Sequence, residues 1–163
     1  MDMHEIEIQV NGRPMRTTVE VDETLVDVLR HKLGVVEVKN GCGQGDCGAC
    51  TVLLDGEAVN SCLTLAVQAD GRSVITTKGL GSAEDPHPIQ TAFINHGAVQ
   101  CGFCSSGMVL SAASFLNQTT TPTREEIREA ISGNLCRCTG YTKIVDAIEE
   151  AARHMAQAEE RSA

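Results

Sequence analysis

Tryptophan is absent from this 163-residue chain, tyrosine occurs once and phenylalanine three times. So few rings leave little with which to stack nucleic-acid bases or flat ligands. Basic residues are also scarce: 13 Lys and Arg stand against 22 Asp and Glu, a formal net charge of -9. Phosphate backbones repel such a surface, so no nucleic-acid partner is expected. No run approaches the roughly 20 apolar residues of a membrane-spanning helix. The opening MDMHEIEIQVNG has no basic region followed by an apolar stretch. No secretory leader is expected from it, and the cytoplasm is the expected location. Apolar residues still make up 42% of the chain, enough for the core of one domain or two small ones.

Cysteine is plentiful by contrast. Eight cysteines fall into two blocks of four, and none is left over. In a reducing compartment that number favours metal over disulfide. Cys42, Cys47 and Cys50 read C-x4-C-x2-C, with Cys62 alone downstream, which is the spacing of plant-type [2Fe–2S] ferredoxins. The second block pairs Cys101 with Cys104 (C-x2-C) and Cys136 with Cys138 (C-x-C). Two four-thiolate sites suggest two metal centres in series, a wire for electrons. Structural zinc is the rival reading. Zinc sites usually join two short Cys knuckles, and the first block has only one. The C-x-C of the second block is uncommon for zinc, but taken alone that block leaves zinc open.

Residues 40–50 also carry four glycines: Gly41, Gly43, Gly45 and Gly48. A loop wrapped round a cluster aims several thiolates and N–H groups at one small object. That demands positive φ, which glycine adopts without steric cost. N–H groups donated to sulfur would raise the reduction potential. All four glycines are therefore candidate cofactor-binding residues. Cys104 and Cys138 each precede a helical pattern, and the partial positive charge of a helix N-terminus suits an anionic cluster.

The first half reads as a small α/β unit. Ile6, Ile8 and Val10 alternate as a half-buried strand does. Asn11-Gly12 predicts a two-residue hairpin turn, and Thr17, Val19 and Val21 the return strand. Leu25, Val28, Leu29 and Leu33 lie on one helical face, stopped by Gly34. Strands follow at 51–54, 58–60 and 74–76, with a turn at Asp55-Gly56. Residues 79–88, rich in Gly and Pro, predict a linker. Four helices follow: 89–95, one from about Cys104, one opened by a Thr123–Glu126 capping box, and one carrying Ile144, Ile148, Ala151, Ala152 and Met155. The polar tail from residue 157 is expected to fray.

The five histidines, His4, His31, His87, His96 and His154, never pair at ligand spacing and read as surface or packing residues. Asp46 reads as a loop-shaping residue, Tyr141 as packing, and Arg137 equally as packing or charge tuning. The acidic residues at 124–129 and 149–150 read as a solvated face.

With both cysteine blocks in view, the chain resembles the small iron–sulfur subunit of the molybdenum hydroxylases, the xanthine oxidase family. The matching residues are the Cys42–Cys50 loop with Cys62, then Gln100-Cys101-Gly102-Phe103-Cys104. Last comes Gly133-Asn134-Leu135-Cys136-Arg137-Cys138-Thr139-Gly140-Tyr141. The resemblance runs from about residue 4 to residue 155. It implies an α+β chain: a β-grasp [2Fe–2S] ferredoxin-like domain at residues 1–80, then an all-α four-helix-bundle [2Fe–2S] domain at residues 81–163. All eight cysteines would ligate the two clusters. The resemblance further implies a molybdopterin cofactor on a large partner subunit, against which Gln100 and Cys138 would lie. FAD would sit on a medium partner subunit, in an (αβγ)2 assembly.

The implied reaction is oxidative hydroxylation, R–H plus water giving R–OH, two protons and two electrons. This chain would contribute no catalytic residue and would only pass electrons. An N-heteroaromatic substrate is preferred on family frequency. The alternative is a free-standing two-cluster ferredoxin. One departure stands out: Ser105-Ser106-Gly107 replaces the family's common Thr-Pro-Gly. Serine can supply a capping oxygen where proline is missing, so the helix is expected to survive.

Overall fold

Alternation at the N-terminus produces strand β1, Met3–Val10, in a computed structural model that describes residues 3–162. Asn11 and Gly12 both adopt positive φ, 51° and 77°, as a tight hairpin requires. The chain returns as β2, Arg13–Glu20, in antiparallel register with Ile8 opposite Met15. Val21 falls just past this strand and is exposed, so the predicted return strand runs one residue too far.

Helix α1 starts at Leu25–Asp27, where Thr24 Oγ1 accepts the Asp27 N–H at 3.4 Å. It widens into a π-type turn over Val28–Lys32, and Gly34, at φ 70°, follows it. Strands β3 (Thr51–Leu54) and β4 (Glu57–Asn60) form the second hairpin, turning at Asp55-Gly56. Strand β5, Ser73–Ile75, slots between β1 and β3. The sheet order is β2-β1-β5-β3-β4, with β1 and β5 parallel and every other pair antiparallel. Ile8, Val10, Val52, Leu54 and Val74 from the sheet close on Leu25, Val28 and Leu29 of α1. A mixed sheet gripping one helix is the β-grasp fold.

Residues 79–88 begin inside a short helix, α2 (Thr77–Leu80), before the chain opens out. Helices α3 (Pro88–Asn95), α4 (Ser105–Leu116), α5 (Arg124–Ala130) and α6 (Thr142–Ser162) build the second half. Ile89, Phe93, Met108, Ala112, Ile127, Ile144 and Ile148 form its separate core. The capping box is present: Thr123 Oγ1 accepts the Glu126 N–H at 3.3 Å, and Glu126 Oε2 accepts the Thr123 N–H at 2.7 Å.

Three expectations need correcting. Helix α4 survives without its proline, but no serine caps it. Cys104 occupies the cap position with no side-chain bond, and Ser106 Oγ is buried without a partner. The polar tail does not fray at residue 157: α6 continues to Ser162, because Ala, Gln, Glu and Arg all favour helix and no breaker intervenes. Ala163 lies outside the described residues. The acidic stretch is not simply solvated, since Arg124 binds both Asp146 and Glu149 at 2.7 Å, tying α5 to α6. Among the described residues, no helix is long and apolar enough to cross a membrane.

All four β3 residues are buried because this strand is covered twice. The α1 core lies on one face, and α4 of the helical half packs on the other. That packing brings the two cysteine blocks together.

Candidate metal centres

The first block is held by its hairpins. Ser61 Oγ donates to the Cys50 carbonyl at 2.6 Å, and Asn60 Nδ2 donates to the Gly45 carbonyl at 3.2 Å. These bonds dock the 42–50 loop against the end of β4 and bring Cys62 beside Cys50, both buried. Cys42 and Cys47 form the more open pair. Cys42 Sγ accepts N–H bonds from Gln44 at 3.5 Å and Cys47 at 3.4 Å. Asp46 shapes this loop as expected, its carboxylate accepting from Gln44 Nε2 at 2.6 Å.

Of the four loop glycines, Gly43, Gly45 and Gly48 have φ of 68°, 86° and 66°. Gly41 does not, so its predicted conformational role fails and a spatial one replaces it. A Cβ there would lie 2.9 Å from Cys47 Sγ and 3.3 Å from the Phe103 ring.

The second block pairs in the same way. Cys101 Sγ and Cys138 Sγ stand 3.5 Å apart, both exposed, while Cys104 faces Cys136 deeper in. Thr139 Oγ1 lies 3.1 Å from Cys136 Sγ, and Tyr141 OH accepts the Cys136 N–H at 2.8 Å. Tyr141 thus does more than pack: its phenol anchors a thiol-bearing loop, and it takes φ 68° to do so. Cys138 does not sit on a helix terminus, because Thr139-Gly140-Tyr141 separate it from α6. Gln100 is exposed beside Cys101.

Thiols within each tetrad are pulled in opposite directions; in the second, the Phe103 N–H also lowers Cys101 and the Cys101 thiol raises Cys138. The Gln44 N–H, then the Cys47 N–H and thiol, hold Cys42 down to about 6. Burial, then the Cys50 thiol, push Cys62 up to about 11. In the second tetrad burial, then Cys136, push Cys104 up to about 12. Cys136 itself falls to about 7: burial opposes this, but the Thr139 hydroxyl and the N–H groups of Cys138 and Thr139 outweigh it. Metal ligation takes the thiolate form, so binding releases the protons that the raised thiols hold.

Among the described residues no three His, Cys, Asp or Glu close on a single ion. The sulfurs converge two by two instead. Two thiols per iron on a two-iron cluster suit that arrangement, and N–H donors to sulfur are already in place. The histidines take no part: His87 caps α3 by accepting the Ile89 N–H, and His96 pairs with Glu150 at 2.6 Å.

Sequence reasoning missed the seam between the blocks. The Leu135 N–H donates to the Cys47 carbonyl at 2.9 Å. Asn134, 4% exposed, donates from Nδ2 to the Gly48 carbonyl at 3.0 Å. A Cβ on Gly107 would overlap that same carbonyl, and one on Gly48 would overlap the Gly133 carbonyl. Nothing in the pattern around Asn134 separates a buried clamp from an ordinary loop asparagine.

Fold and site together define a two-domain [2Fe–2S]-binding protein. Residues 8–75 match the family model of a 2Fe-2S iron-sulfur cluster binding domain, and residues 76–149 that of a [2Fe-2S] binding domain. The chain is 51% identical to the nicotine 6-hydroxylase small subunit of Paenarthrobacter nicotinovorans, over 92% of this chain and 90% of that protein. It is 43% identical to the aldehyde oxidoreductase iron–sulfur-binding subunit of Escherichia coli K12, over 89% of this chain and 70% of that one. Among solved structures, quinoline 2-oxidoreductase of Pseudomonas putida 86 has a chain that superposes with a TM-score of 0.91. The two are 46% identical, covering 97% of this chain and 98% of that one. The chain belongs to the small iron–sulfur subunits of the molybdenum hydroxylases, and is a subunit of an oxidoreductase complex.

Proposed function

We propose that this chain relays electrons from a molybdopterin centre on a large partner subunit to FAD, or another acceptor, on a medium one. Cys42, Cys47, Cys50 and Cys62 hold one [2Fe–2S] cluster, and Cys101, Cys104, Cys136 and Cys138 the other. Each cluster, when bound, takes up and gives back one electron at a time. The chain's own residues aim thiolates, donate N–H groups to sulfur and exclude water at Cys50 and Cys62. Gly43, Gly45 and Gly48 shape the first loop. Gln100 and Cys138 form the face toward the pterin. The two separate apolar cores support a division into residues 1–80 and 81–163, with Leu80 at the seam leaning on the second core.

The observation that carries this reading is the twofold pairing of eight thiols into two tetrads whose loops touch. Exposed Val99, Phe103 and Leu135 lie in the loops that bear the open Cys101–Cys138 edge. Large apolar side chains left exposed in loops that bear cysteines suit a docked subunit better than a carrier free in water. The assembly we assign is a heterotrimer, doubled to (αβγ)2. The substrate we assign is an N-heteroaromatic compound, in keeping with relatives named for nicotine and quinoline.

Purification under anaerobic conditions tests the reading. Iron and sulfide should be near four each per chain, with molybdopterin and flavin co-purifying. Cys138→Ala should abolish turnover with the physiological acceptor and remove one EPR signal. Zinc in place of iron would overturn the cluster assignment. A chain that purifies alone with both clusters would show a diffusible ferredoxin instead.

A further inference from the structure

Among the described residues, Asn134 is the one buried polar side chain that reaches from one cysteine block to the other. It leaves the second block two residues before Cys136 and ends on the Gly48 carbonyl, one residue after Cys47. The next residue, Leu135, donates its N–H to the Cys47 carbonyl at 2.9 Å. A single hydrogen bond therefore joins the backbone of Cys47 to the residue covalently attached to Cys136. No other backbone bond outside regular elements joins the 42–50 loop to the 133–138 loop among the described residues.

The surroundings are built to keep this approach close. Gly48 and Gly107 both lack the Cβ that would force the segments apart. The Gly48 carbonyl also accepts from Thr51 Oγ1 at 2.7 Å and Thr51 N at 3.2 Å, which fixes its direction before Asn134 arrives. The Leu135 side chain is 56% exposed, so only its backbone serves the seam.

We infer that Asn134 is a positioning residue for electron transfer between the two tetrads: it holds the Leu135 N–H on the Cys47 carbonyl, and that bond is the bridge coupling them. The inference rests on the proposed ligation of two clusters by these eight cysteines. With clusters held by both tetrads, one electron would pass from the second to the first. No bond forms or breaks and no proton moves. Asn134 touches neither sulfur set. It acts through the loop that it clamps.

The test uses the assembled complex carrying Asn134→Leu, Leu135→Pro or Leu135→Ala. Asn134→Leu removes the clamp while leaving the Gly48 carbonyl its Thr51 partners. Leu135→Pro deletes the donor itself, and Leu135→Ala keeps it. Two quantities are read: the magnetic splitting between the two reduced clusters, by EPR, and the rate of intercluster transfer, by rapid freeze-quench. Loss of an outer residue that orients ligands typically costs about 10–100-fold. Both Asn134→Leu and Leu135→Pro should slow intercluster transfer at least about tenfold. Asn134→Leu should also change the splitting, with iron content unchanged, while Leu135→Ala matches the wild type.

Unchanged transfer in the first two variants would overturn the inference and leave the cluster assignment standing. Loss of either cluster from both variants would also overturn it, making Asn134 part of the scaffold. A wild-type complex without two reducible clusters would instead overturn the ligation on which the inference rests.

Discussion

Gly48→Ala offers the sharpest probe of how the two halves are joined. Its Cβ would overlap the Gly133 carbonyl and lie 2.5 Å from Asn134 Nδ2, at a φ of 66°. The first obstacle is backbone, which cannot rotate aside. Gly71→Ala is the matched control, since Gly71 has φ 70° and nothing within 4 Å of the new atom. Both substitutions carry the cost of a left-handed alanine, about 1–2 kcal/mol, so it cancels in the difference. What remains for Gly48 is overpacking at about 1–3 kcal/mol and the loss of a hydrogen bond worth about 1 kcal/mol. The expected gap is about 3 kcal/mol, or about 10 °C in Tm for a chain of this length. Thermal melts of the two variants beside the wild type measure it. A gap under about 1 kcal/mol would show that the halves are not held by this close approach.

Three further outcomes follow from single contacts. Tyr141→Phe strands the Cys136 N–H, a loss of about 1–3 kcal/mol. EPR should show the second-cluster signal broadened and the first unchanged. Thr123→Ala removes one half of the capping box and should cost about 1 kcal/mol, read as a fall of about 3 °C in Tm. The His96 ring beside Glu150 holds that carboxyl below its usual range, so its contribution is fully present above the unfolded value of about 4.3 and is lost as pH falls through the lower folded value. Glu150→Gln should therefore be less stable than wild type at pH 7, and acid unfolding followed by circular dichroism should show the two converging at low pH. A constant gap across that range would refute the assignment to Glu150.

Much of the architecture was legible because it is local. Asn11-Gly12, Asp55-Gly56 and the Thr123–Glu126 box are each read from nearby residues, and each does in space what its chemistry requires. The cysteine spacing was equally local, and it singled out both groups of four as candidates. What could not be read was long-range. Asn134 meets Gly48 across 86 positions of sequence, and no pattern near either residue announces the other. Gly41 was misassigned for the same reason: its purpose is to clear Cys47 Sγ and Phe103, a ring from the other half of the chain. A serine after Cys104 was expected to supply the helix cap, yet Cys104 itself occupies that place.

The same distinction explains why one chain carries both domains. Two tetrads on separate proteins would meet only by diffusion, at whatever spacing each encounter allowed. Here β3 is sandwiched between α1 and α4, and Gly48, Gly107 and Asn134 pin the cysteine loops at one depth. Small residues do this better than large ones, because bare backbone brings two loops closer than any pair of side chains could. The sulfurs are not sealed off: Cys101 and Cys138 are exposed on one tetrad, and Cys42 and Cys47 are partly exposed on the other. A seam of bare backbone between the two cysteine loops therefore gives this chain a fixed internal spacing that two separate proteins could not hold.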